Sequence, residues 1–236
     1  MQGSGHKLFS NQWVTEHNRL AKKEFAIIKN AILSGDVSKK SLPKPPTDLV
    51  QWVKQARPIV EGKVRSFLAF PFWEEIYSDS YSFKMIVGGR QAFKSTYITD
   101  LLVCEATSIP GSQVCYVTFS QSSQTAFSRQ KLQIGTFSQN DILKQFPRYK
   151  LGNVGEISLK NDSTIYCTTD TGKYKNVEGK SLNHCILDEA QYQQMEEAPR
   201  VVQTMMATKG SLTIVGIGGE AGSSYENFWK MSDQRE

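Results

Sequence analysis

Histidine, cysteine and long apolar runs are all scarce in this chain of 236 residues. The three histidines offer little for a metal site, and the four cysteines are too widely spaced for a CxxC metal site or a disulfide framework. We interpret these cysteines, which are Cys104, Cys115, Cys167 and Cys185, as buried, reduced thiols. No run approaches the roughly 20 apolar residues of a membrane helix, and the N-terminus lacks the apolar core of a signal peptide. We therefore expect a cytoplasm-like compartment and no membrane partner.

What the chain does contain is typical of a globular protein. Hydrophobic residues make up 39% of it and charged residues 22%. Its length suits one large domain or a domain with an appended segment. The net charge of +5 permits a polyanionic partner without requiring one.

The first part of the sequence differs in pattern from the rest. Apolar residues recur at near-helical spacing over residues 11–33, which predicts a helix there. The basic, proline-rich stretch SKKSLPKPP at residues 38–46 predicts a linker, because proline cannot donate backbone hydrogen bonds. This linker is either a solvated connector or an arm that touches DNA. We assign residues 1–64 to an N-terminal helical leader with its Pro/Lys-rich linker, and residues 65–236 to the main domain.

From about Ser82 onward, short segments rich in β-branched and aromatic residues alternate with helical segments. The predicted strands are FKMIVG, QVCYVTFS, EISLK, STIYCTT, NHCILDE and SLTIVGIG. Helices are predicted from Ser95 to about Ser108 and from about Ser122 to Phe137, and an ND turn predicts a hairpin between EISLK and STIYCTT. The remainder indicates βαβ units, hence an α/β fold with a mostly parallel sheet and helices on both faces. Ligands of such sheets bind at the carboxyl ends of the strands.

The segment GGRQAFKST follows the first of these predicted strands and opens a predicted helix. In the phosphate-binding pattern G-x-x-x-x-G-K-[ST], backbone N–H groups surround the phosphates, the lysine reaches the β- and γ-oxygens, and the hydroxyl binds Mg²⁺. Gly88, Lys94 and Ser95 fill three of the four fixed positions, but Phe93 replaces the last glycine. An ordinary strand-to-helix turn is the alternative. The nucleotide-binding residues predicted here are Gly88, Gly89, Arg90, Gln91, Ala92, Phe93, Lys94, Ser95 and Thr96.

A second segment, HCILDEAQ at residues 184–191, is an apolar strand that ends in two adjacent carboxylates. Asp188 would hold Mg²⁺ together with Ser95, and Glu189 would polarise the attacking water. A solvated turn is the alternative, but an acidic pair at the end of so apolar a strand is better explained as the partner of the loop that contains Lys94. The two segments together predict a site for ATP and Mg²⁺.

The order of these segments resembles the ATPase domain of the large terminase subunit of tailed phages and related viruses. The resemblance covers roughly residues 65–230 and is most specific in LKNDSTIYC, VEGKS and CILDEAQ, which are similar to the family's hairpin and its Arg-Gly and Asp-Glu-Ala runs. It implies a P-loop NTPase of the additional-strand type, with residues 65–236 as the ATPase domain. It also implies ATP hydrolysis that drives double-stranded DNA into a preformed capsid.

The resemblance further implies partners and a location. Domains of this family form a homo-oligomeric ring on the capsid, with a monomer as the alternative for the isolated domain. The expected partners are double-stranded DNA, the portal protein and the small terminase subunit, in the host cytoplasm and transiently at the procapsid portal. The chain ends soon after the third motif and leaves no room for the family's nuclease, so we expect an isolated N-terminal ATPase domain.

The resemblance assigns roles to individual residues. Lys94 and Ser95 would contact the phosphates and Mg²⁺, and Asp188 and Glu189 would be the metal-binding and water-activating carboxylates. Arg90 would reach the γ-phosphate from within the same subunit, with an ordinary surface side chain as the alternative. We therefore expect Glu189, Arg90 and Lys94 to be catalytic.

Three departures from the family pattern limit which of these roles can be assigned to this chain. The first is Phe93 in place of the last glycine. Glu178 stands where the family often has arginine before glycine, so a cation for a neighbouring subunit would come from Lys180, Arg129 or Arg200. Trp73 of FPFW stands where the family has the glutamine of its adenine-binding motif, and it either stacks on the base or is a core aromatic. The glycine-rich residues 216–224 are either a link between hydrolysis and movement or a plain loop.

Two other functions remain open. One is a fragment of another P-loop DNA helicase or translocase, which would need further nucleic-acid motifs and a second domain. The other is a nucleotide-dependent assembly module with little turnover, suggested by Phe93 and by the missing arginine. The basic segment KQFPRYK, which contains Lys144, Arg148 and Lys150, is either a DNA-contacting patch or a solvated loop.

Overall fold

The structure, a computed structural model, describes residues 42–56, 58–60, 63–64, 67, 71–171, 173–218, 222, 225–226 and 230. The chain divides into two units, Met1–Ser41 and Leu42–Glu236. The helix predicted over residues 11–33 and the first part of the predicted linker lie outside the described residues. Residues 42–46 of that linker have no regular secondary structure, as their prolines predict.

The segment just after the linker belongs to the second unit. It forms helix α1, Leu49–Ala56, which buries its apolar side in the main core. The indole Nε1 of Trp52 donates a hydrogen bond to Oγ1 of Thr107 over 3.1 Å. The assignment of residues 1–64 to a leader with its linker stays a prediction, and α1 within that range packs in the second unit.

The main sheet of the described residues has six strands. A separate antiparallel pair, β1 (Ile59–Val60) and β2 (Lys63–Val64), precedes it. The six strands are β3 (Phe83–Val87), β4 (Gln113–Thr118), β5 (Glu156–Ser158), β6 (Thr164–Thr169), β7 (His184–Asp188) and β8 (Ser211–Gly216). Their order in the sheet is β3-β8-β7-β4-β6-β5, with β5 antiparallel to β6 and all other neighbours parallel. The predicted strands, the hairpin and the mostly parallel sheet are confirmed.

Helices connect the strands. They are α2 (Phe72–Ser78), α3 (Lys94–Ser108), α4 (Gln121–Ala126), a π-helix (Phe127–Ser138) and α5 (Pro199–Met205), with short 3₁₀ helices at Leu143–Gln145, Ala190–Tyr192 and Met195–Glu197. The helix predicted to start at Ser95 is confirmed. The second predicted helix is correct in extent, but most of it is a π-helix. Gly135 permits this winding, because a Cβ there would lie 2.8 Å from the carbonyl oxygen of Gln130.

Both faces of the sheet are covered, as alternate residues of β4 show. Val114 and Tyr116 join a core cluster with α1, α3 and the π-helix. Cys115 and Val117 join a second cluster with α5 and β8 on the other face. Burial on both faces explains why the strands are continuous apolar runs rather than alternating ones. The four cysteines are free and buried, as predicted.

Candidate nucleotide-binding site

The predicted strand–loop–helix arrangement is confirmed at residues 83–108. Strand β3 ends at Val87, and α3 begins at Lys94. The backbone N–H of Gly88 donates to the carbonyl oxygen of Gly216, at the end of β8, over 3.1 Å. The loop of residues 88–93 therefore lies at the edge where the parallel strands end, which is the ligand-binding edge of such sheets.

Phe93 has a left-handed backbone conformation of the kind that favours glycine. Its φ is 61° and its ψ is 19°, in the left-handed region, and Gln91 also has a positive φ of 59°. Such a conformation costs a residue with a side chain about 1–2 kcal/mol. The partly buried ring packs against the main core cluster. Phe93 thus combines local backbone strain with packing of its ring against the core.

Lys94 folds back over the loop that precedes it. Its Nζ donates to the carbonyl oxygens of Gly88 and Gly89 over 2.8 and 2.5 Å. Burial lowers the pKa of Lys94, whereas the negative charges of Asp188 and Glu189 raise it. The ammonium group is therefore held at the first turn of α3, within the electrostatic field of the acidic pair.

Asp188 is the last residue of β7, and the protein binds both of its carboxylate oxygens. Tyr116 donates its phenol hydrogen to Oδ2 over 2.9 Å, and the backbone N–H of Glu189 donates to Oδ1 over 2.9 Å. Burial raises the pKa of Asp188 to about 6, against the opposing effects of the Tyr116 hydrogen bond and the charge of Lys94. Tyr116 was not predicted, because the sequence does not indicate which strand lies next to β7 in the sheet.

Glu189 is held in a strained backbone conformation. Its φ of 54° and ψ of 42° place it in the left-handed region, and its side chain is partly exposed. Strain of this kind, about 1–3 kcal/mol, clusters at functional sites. The turn directs the chain out of β7 immediately after Asp188, so that the two neighbouring carboxylates line the same cavity.

Gln191 connects the acidic pair to the segment that follows β8. Its Oε1 accepts a hydrogen bond from the backbone N–H of Ile217 over 3.2 Å. A Cβ at Gly216 would lie 2.6 Å from that Oε1 and 2.7 Å from the hydroxyl of Tyr225. Of the glycine-rich residues 216–224, which are either a coupling link or a plain loop, only 216–218 and 222 are described. Ile217 is hydrogen-bonded to Gln191 in the loop after β7.

One cavity of about 760 Å³ brings these groups together. Its lining residues are Arg90, Gln91, Ala92, Phe93, Lys94, Ser95, Thr96, Lys131, Asp188, Glu189, Gln191, Tyr192, Gly216 and Ile217. Most of the predicted site residues thus share a single space, and Gly88 and Gly89 precede it as the carbonyl partners of Lys94. Lys131 and Tyr192 were not predicted, since no motif marks them.

Trp73 is not among the residues that line this cavity. It is 2% exposed, and its ring stacks on Tyr97 with 5.5 Å between centroids and meets Tyr77 edge-on. An indole in an aromatic cluster of this kind is stabilised by burial. Of the two interpretations of Trp73, the structure matches the core aromatic.

The three cations proposed to replace the family's arginine differ in their surroundings. Arg200 is ion-paired with Glu178 and Glu197 over 2.9 and 2.8 Å, and Lys180 lies 4.3 Å from the ring centroid of Tyr166. Arg129 is exposed and forms no ion pair with any residue that the structure describes. Among the residues that the structure describes, it is therefore the candidate with the least engaged charge.

The basic segment KQFPRYK, which is either a DNA-contacting patch or a solvated loop, is partly neutralised. Lys144 is ion-paired with Asp141, and Arg148 with Asp162.

Among the described residues, no group of three or more His, Cys, Asp or Glu side chains could hold a metal ion. None of the described helices has the length and apolar character needed to cross a membrane.

Comparison with solved structures shows which fold this is. The structure is similar to the large terminase ATPase domain of Thermus phage P74-26, with a TM-score of 0.56 and 16% identity over 67% of this chain and 68% of that one. It is also similar to the large terminase of bacteriophage HK97, with a TM-score of 0.62 and 15% identity over 79% of this chain and 41% of that one. The sequence matches no protein-family model and no curated protein.

These likenesses show that the structure has the fold of a phage large terminase ATPase domain, an α/β P-loop NTPase fold. The resemblance inferred from sequence is thereby confirmed at the level of the fold. The order of the elements supports this likeness. The loop before α3 and the acidic end of β7 both lie at the edge of the sheet where such folds bind their ligands.

Proposed function

We propose that this chain is an ATP hydrolase and the motor domain of a viral DNA-packaging terminase, which moves double-stranded DNA into a capsid. The observation that carries the ATPase assignment is the shared cavity. Lys94 at the N-terminus of α3 and the acidic pair at the end of β7 are far apart in the sequence, yet they line one space. Helix N-termini and lysines bind phosphates, and an adjacent carboxylate activates water. The terminase fold favours a packaging motor among ATPases.

The cavity also contains donors that suit Mg²⁺. The Ser95 hydroxyl and the Asp188 carboxylate are hard oxygen ligands, and both line the cavity. The raised pKa of Asp188 indicates a buried charge that the protein compensates only in part, as expected for a cation ligand. Mg²⁺ held by these two residues would neutralise charge on the phosphates.

In the proposed reaction, water attacks the γ-phosphorus, and the bond from that phosphorus to the β–γ bridging oxygen breaks. Glu189 orients the water and accepts its proton. Lys94 and Arg90 donate hydrogen bonds to phosphate oxygens and stabilise the charge that moves onto the leaving ADP. Thr96 and the backbone N–H groups of residues 91–95 complete the cradle.

The remaining parts of the proposal concern assembly. By analogy with the terminase fold, the ATPase works as a homo-oligomeric ring on the procapsid portal in the host cytoplasm, with double-stranded DNA, the portal protein and the small terminase subunit as partners. Arg129 is the cation that we propose for the neighbouring subunit's nucleotide, because Arg200 and Lys180 are engaged in their own chain.

One observation favours a second candidate function, a nucleotide-dependent assembly module with little turnover. Glu178 occupies the position where the family often has arginine, and it is ion-paired with Arg200. An enzyme without a cation from the neighbouring subunit would bind ATP and hydrolyse it slowly.

Phosphate release and duplex unwinding, measured in parallel, test the proposal. We expect the chain to release phosphate from Mg·ATP, to do so faster with double-stranded DNA, and to separate no strands. Strand separation would indicate a helicase instead. ATP binding with no phosphate release at any DNA concentration would indicate the assembly module.

A further inference from the structure

Gln193 is a buried polar residue whose side chain joins three separate segments of the chain. It follows the short helix Ala190–Tyr192 and is 9% exposed. Its Nε2 donates hydrogen bonds to the carbonyl oxygens of Asp188 and Val117 over 2.6 and 3.2 Å, and its Oε1 accepts one from the Tyr174 hydroxyl over 3.0 Å. The carboxamide therefore uses both its donor nitrogen and its acceptor oxygen within the protein.

The two carbonyl groups that Gln193 binds lie where the ladder between β4 and β7 ends. The last residue pair of that ladder is Val117 with Leu187. Beyond it, the Nε2 of Gln193 donates to one carbonyl oxygen of each strand. A buried carbonyl oxygen destabilises the fold unless it accepts a hydrogen bond. Gln193 thus continues the connection between the two strands to the end of β7.

The Asp188 carbonyl belongs to the peptide group that leads into Glu189. The N–H of the same peptide donates to Oδ1 of Asp188 over 2.9 Å, so the group is bound at both its oxygen and its nitrogen. It directly precedes the left-handed conformation of Glu189, whose φ is 54°. Such a conformation persists only where the surroundings hold it. The contact from Gln193 therefore helps to fix the direction in which the Glu189 side chain leaves the backbone.

Tyr174 connects this peptide group to the loop that follows β6. Its side chain is fully buried, and both it and Lys173 have a positive φ, of 62° and 61°. Two consecutive left-handed residues with side chains are strained. The backbone N–H of Gln194 donates to Oδ2 of Asp170 over 3.1 Å, which joins the same two segments a second time. The strained loop thus places the Tyr174 hydroxyl against Gln193.

We propose that Gln193 and Tyr174 are positioning residues for the proposed hydrolysis, and that they hold the peptide between Asp188 and Glu189 so that the Glu189 carboxylate faces the attacking water. Neither Gln193 nor Tyr174 lines the phosphate cavity, so both act through the acidic pair rather than on the nucleotide. Without these contacts the peptide group can rotate, while the groups that bind the nucleotide stay in place. This inference rests on the proposed function, because it concerns the base of that reaction.

Phosphate release at saturating Mg·ATP and equilibrium binding of Mg·ATP, measured on the full chain, test this role. Gln193→Met keeps the length of the side chain and removes its three hydrogen bonds, whereas Tyr174→Phe removes only the hydroxyl. Gln124→Met is the matched control, since Gln124 is 6% exposed and its Nε2 donates to the carbonyl oxygen of Cys167, outside the phosphate cavity.

The expected result is a loss of turnover without a loss of binding. We expect kcat to fall at least about tenfold in Gln193→Met and about threefold in Tyr174→Phe, because each lost contact loosens the peptide that carries the base. ATP binding should stay within about twofold of that of the unmodified chain in both variants. Gln124→Met should change neither quantity.

A second comparison shows whether the effect passes through Glu189. Groups that act as a unit have non-additive effects on the rate, so adding Gln193→Met to Glu189→Gln should lower the remaining rate by less than about twofold. A further loss as large as that of Gln193→Met alone would mean that Gln193 acts independently of this carboxylate, and the proposal would be overturned.

The outcomes separate this inference from the proposed function. If the unmodified chain releases no phosphate, the proposed function fails, and the role of Gln193 fails with it. If the unmodified chain is active and Gln193→Met loses no more kcat than Gln124→Met, the positioning role fails while the ATPase assignment stands. Thermal unfolding midpoints show which variants are folded. Should Gln193→Met not fold, Tyr174→Phe decides, since it keeps the buried ring, and an unchanged kcat in that variant overturns the proposal.

Discussion

Tyr116 donates a hydrogen bond to Asp188 across the neighbouring strands β4 and β7, with 2.9 Å between the phenol oxygen and Oδ2. The ring of Tyr116 stacks on Phe127 with 3.8 Å between centroids, which fixes the phenol in place. Burial nevertheless outweighs the hydrogen bond and raises the pKa of Asp188 to about 6. The protein therefore positions a carboxylate whose charge it does not fully compensate, at a cost to its own stability.

Asp188→Asn should stabilise the nucleotide-free protein at neutral pH. A carboxyl whose pKa is higher in the folded chain than in the unfolded chain contributes stability below its unfolded value of 3.8, and this stability is lost as the pH rises to about 6. Asparagine keeps an acceptor for Tyr116 without the charge, and the loss of the oxygen that accepts from the Glu189 N–H offsets only part of this gain. We expect the free energy of unfolding to rise by about 1–3 kcal/mol at pH 7 and to change little near pH 4. Denaturant unfolding without Mg²⁺ at the two pH values measures this, and equal effects at both would contradict it.

At Phe93, a glycine variant should be more stable than an alanine variant, which reverses the usual order of stability. Phe93→Gly and Phe93→Ala both remove the partly buried ring, but only glycine relieves the strain of a φ of 61°. We expect Phe93→Gly to be more stable than Phe93→Ala by about 1 kcal/mol, and both to be less stable than the unmodified protein. Both variants should still bind ATP. An alanine variant at least as stable as the glycine variant would show that the loop does not have this backbone conformation.

Arg129 should act on the nucleotide of a neighbouring subunit. The specific ATPase activity of the unmodified chain should then rise with protein concentration, because assembly supplies the cation. Arginines provided in this way are worth about 10³–10⁵ in rate, so Arg129→Ala should abolish the rise. Arg148→Ala is the charge-matched control, since Arg148 is paired with Asp162. Specific activity that stays constant while the chain self-associates, or that rises equally in Arg129→Ala, would argue against this role.

Gly216→Ala should disturb the connection between the acidic pair and the segment after β8. The new methyl group would meet Oε1 of Gln191 and the hydroxyl of Tyr225 at 2.6 and 2.7 Å, so one of them must move. We expect a loss of about 1–3 kcal/mol in the free energy of unfolding, together with lower ATP turnover. Adding Gln191→Ala should restore part of the stability but not the turnover. Normal stability and normal turnover in Gly216→Ala alone would contradict this connection.

Much of the fold was predictable because the strands are buried on both faces. His184–Asp188 and Gln113–Thr118 are continuous runs of apolar and β-branched residues that end at polar groups, and such runs mark parallel strands. The loop before α3 and the acidic end of β7 were predictable for a related reason. Their chemistry requires particular residue types at fixed spacing, which the sequence displays directly.

Other features could not be predicted, because they depend on which segments become neighbours. The contact of Tyr116 with Asp188 requires β4 and β7 to be adjacent, and nothing in either strand specifies that order. The π-helix has the same apolar residues that an α-helix would bury, so periodicity does not distinguish the two. Lys131 lines the site from this π-helix, and no motif in the sequence marks it. The burial of Trp73 depends on its packing with Tyr97, which lies on a different helix.

The central claim, that this is an ATP hydrolase whose loop and acidic pair form one active site, is tested most directly by the rate of phosphate release at saturating Mg·ATP. Equilibrium binding of ATP is measured beside it, so that loss of binding and loss of chemistry can be told apart. Lys94→Ala should lose ATP binding, since the charge that holds the β- and γ-phosphates is gone. Glu189→Gln should bind ATP as the unmodified chain does but release phosphate at least about 10² times more slowly, because the water has lost its base. Release by Glu189→Gln at the rate of the unmodified chain would contradict the account.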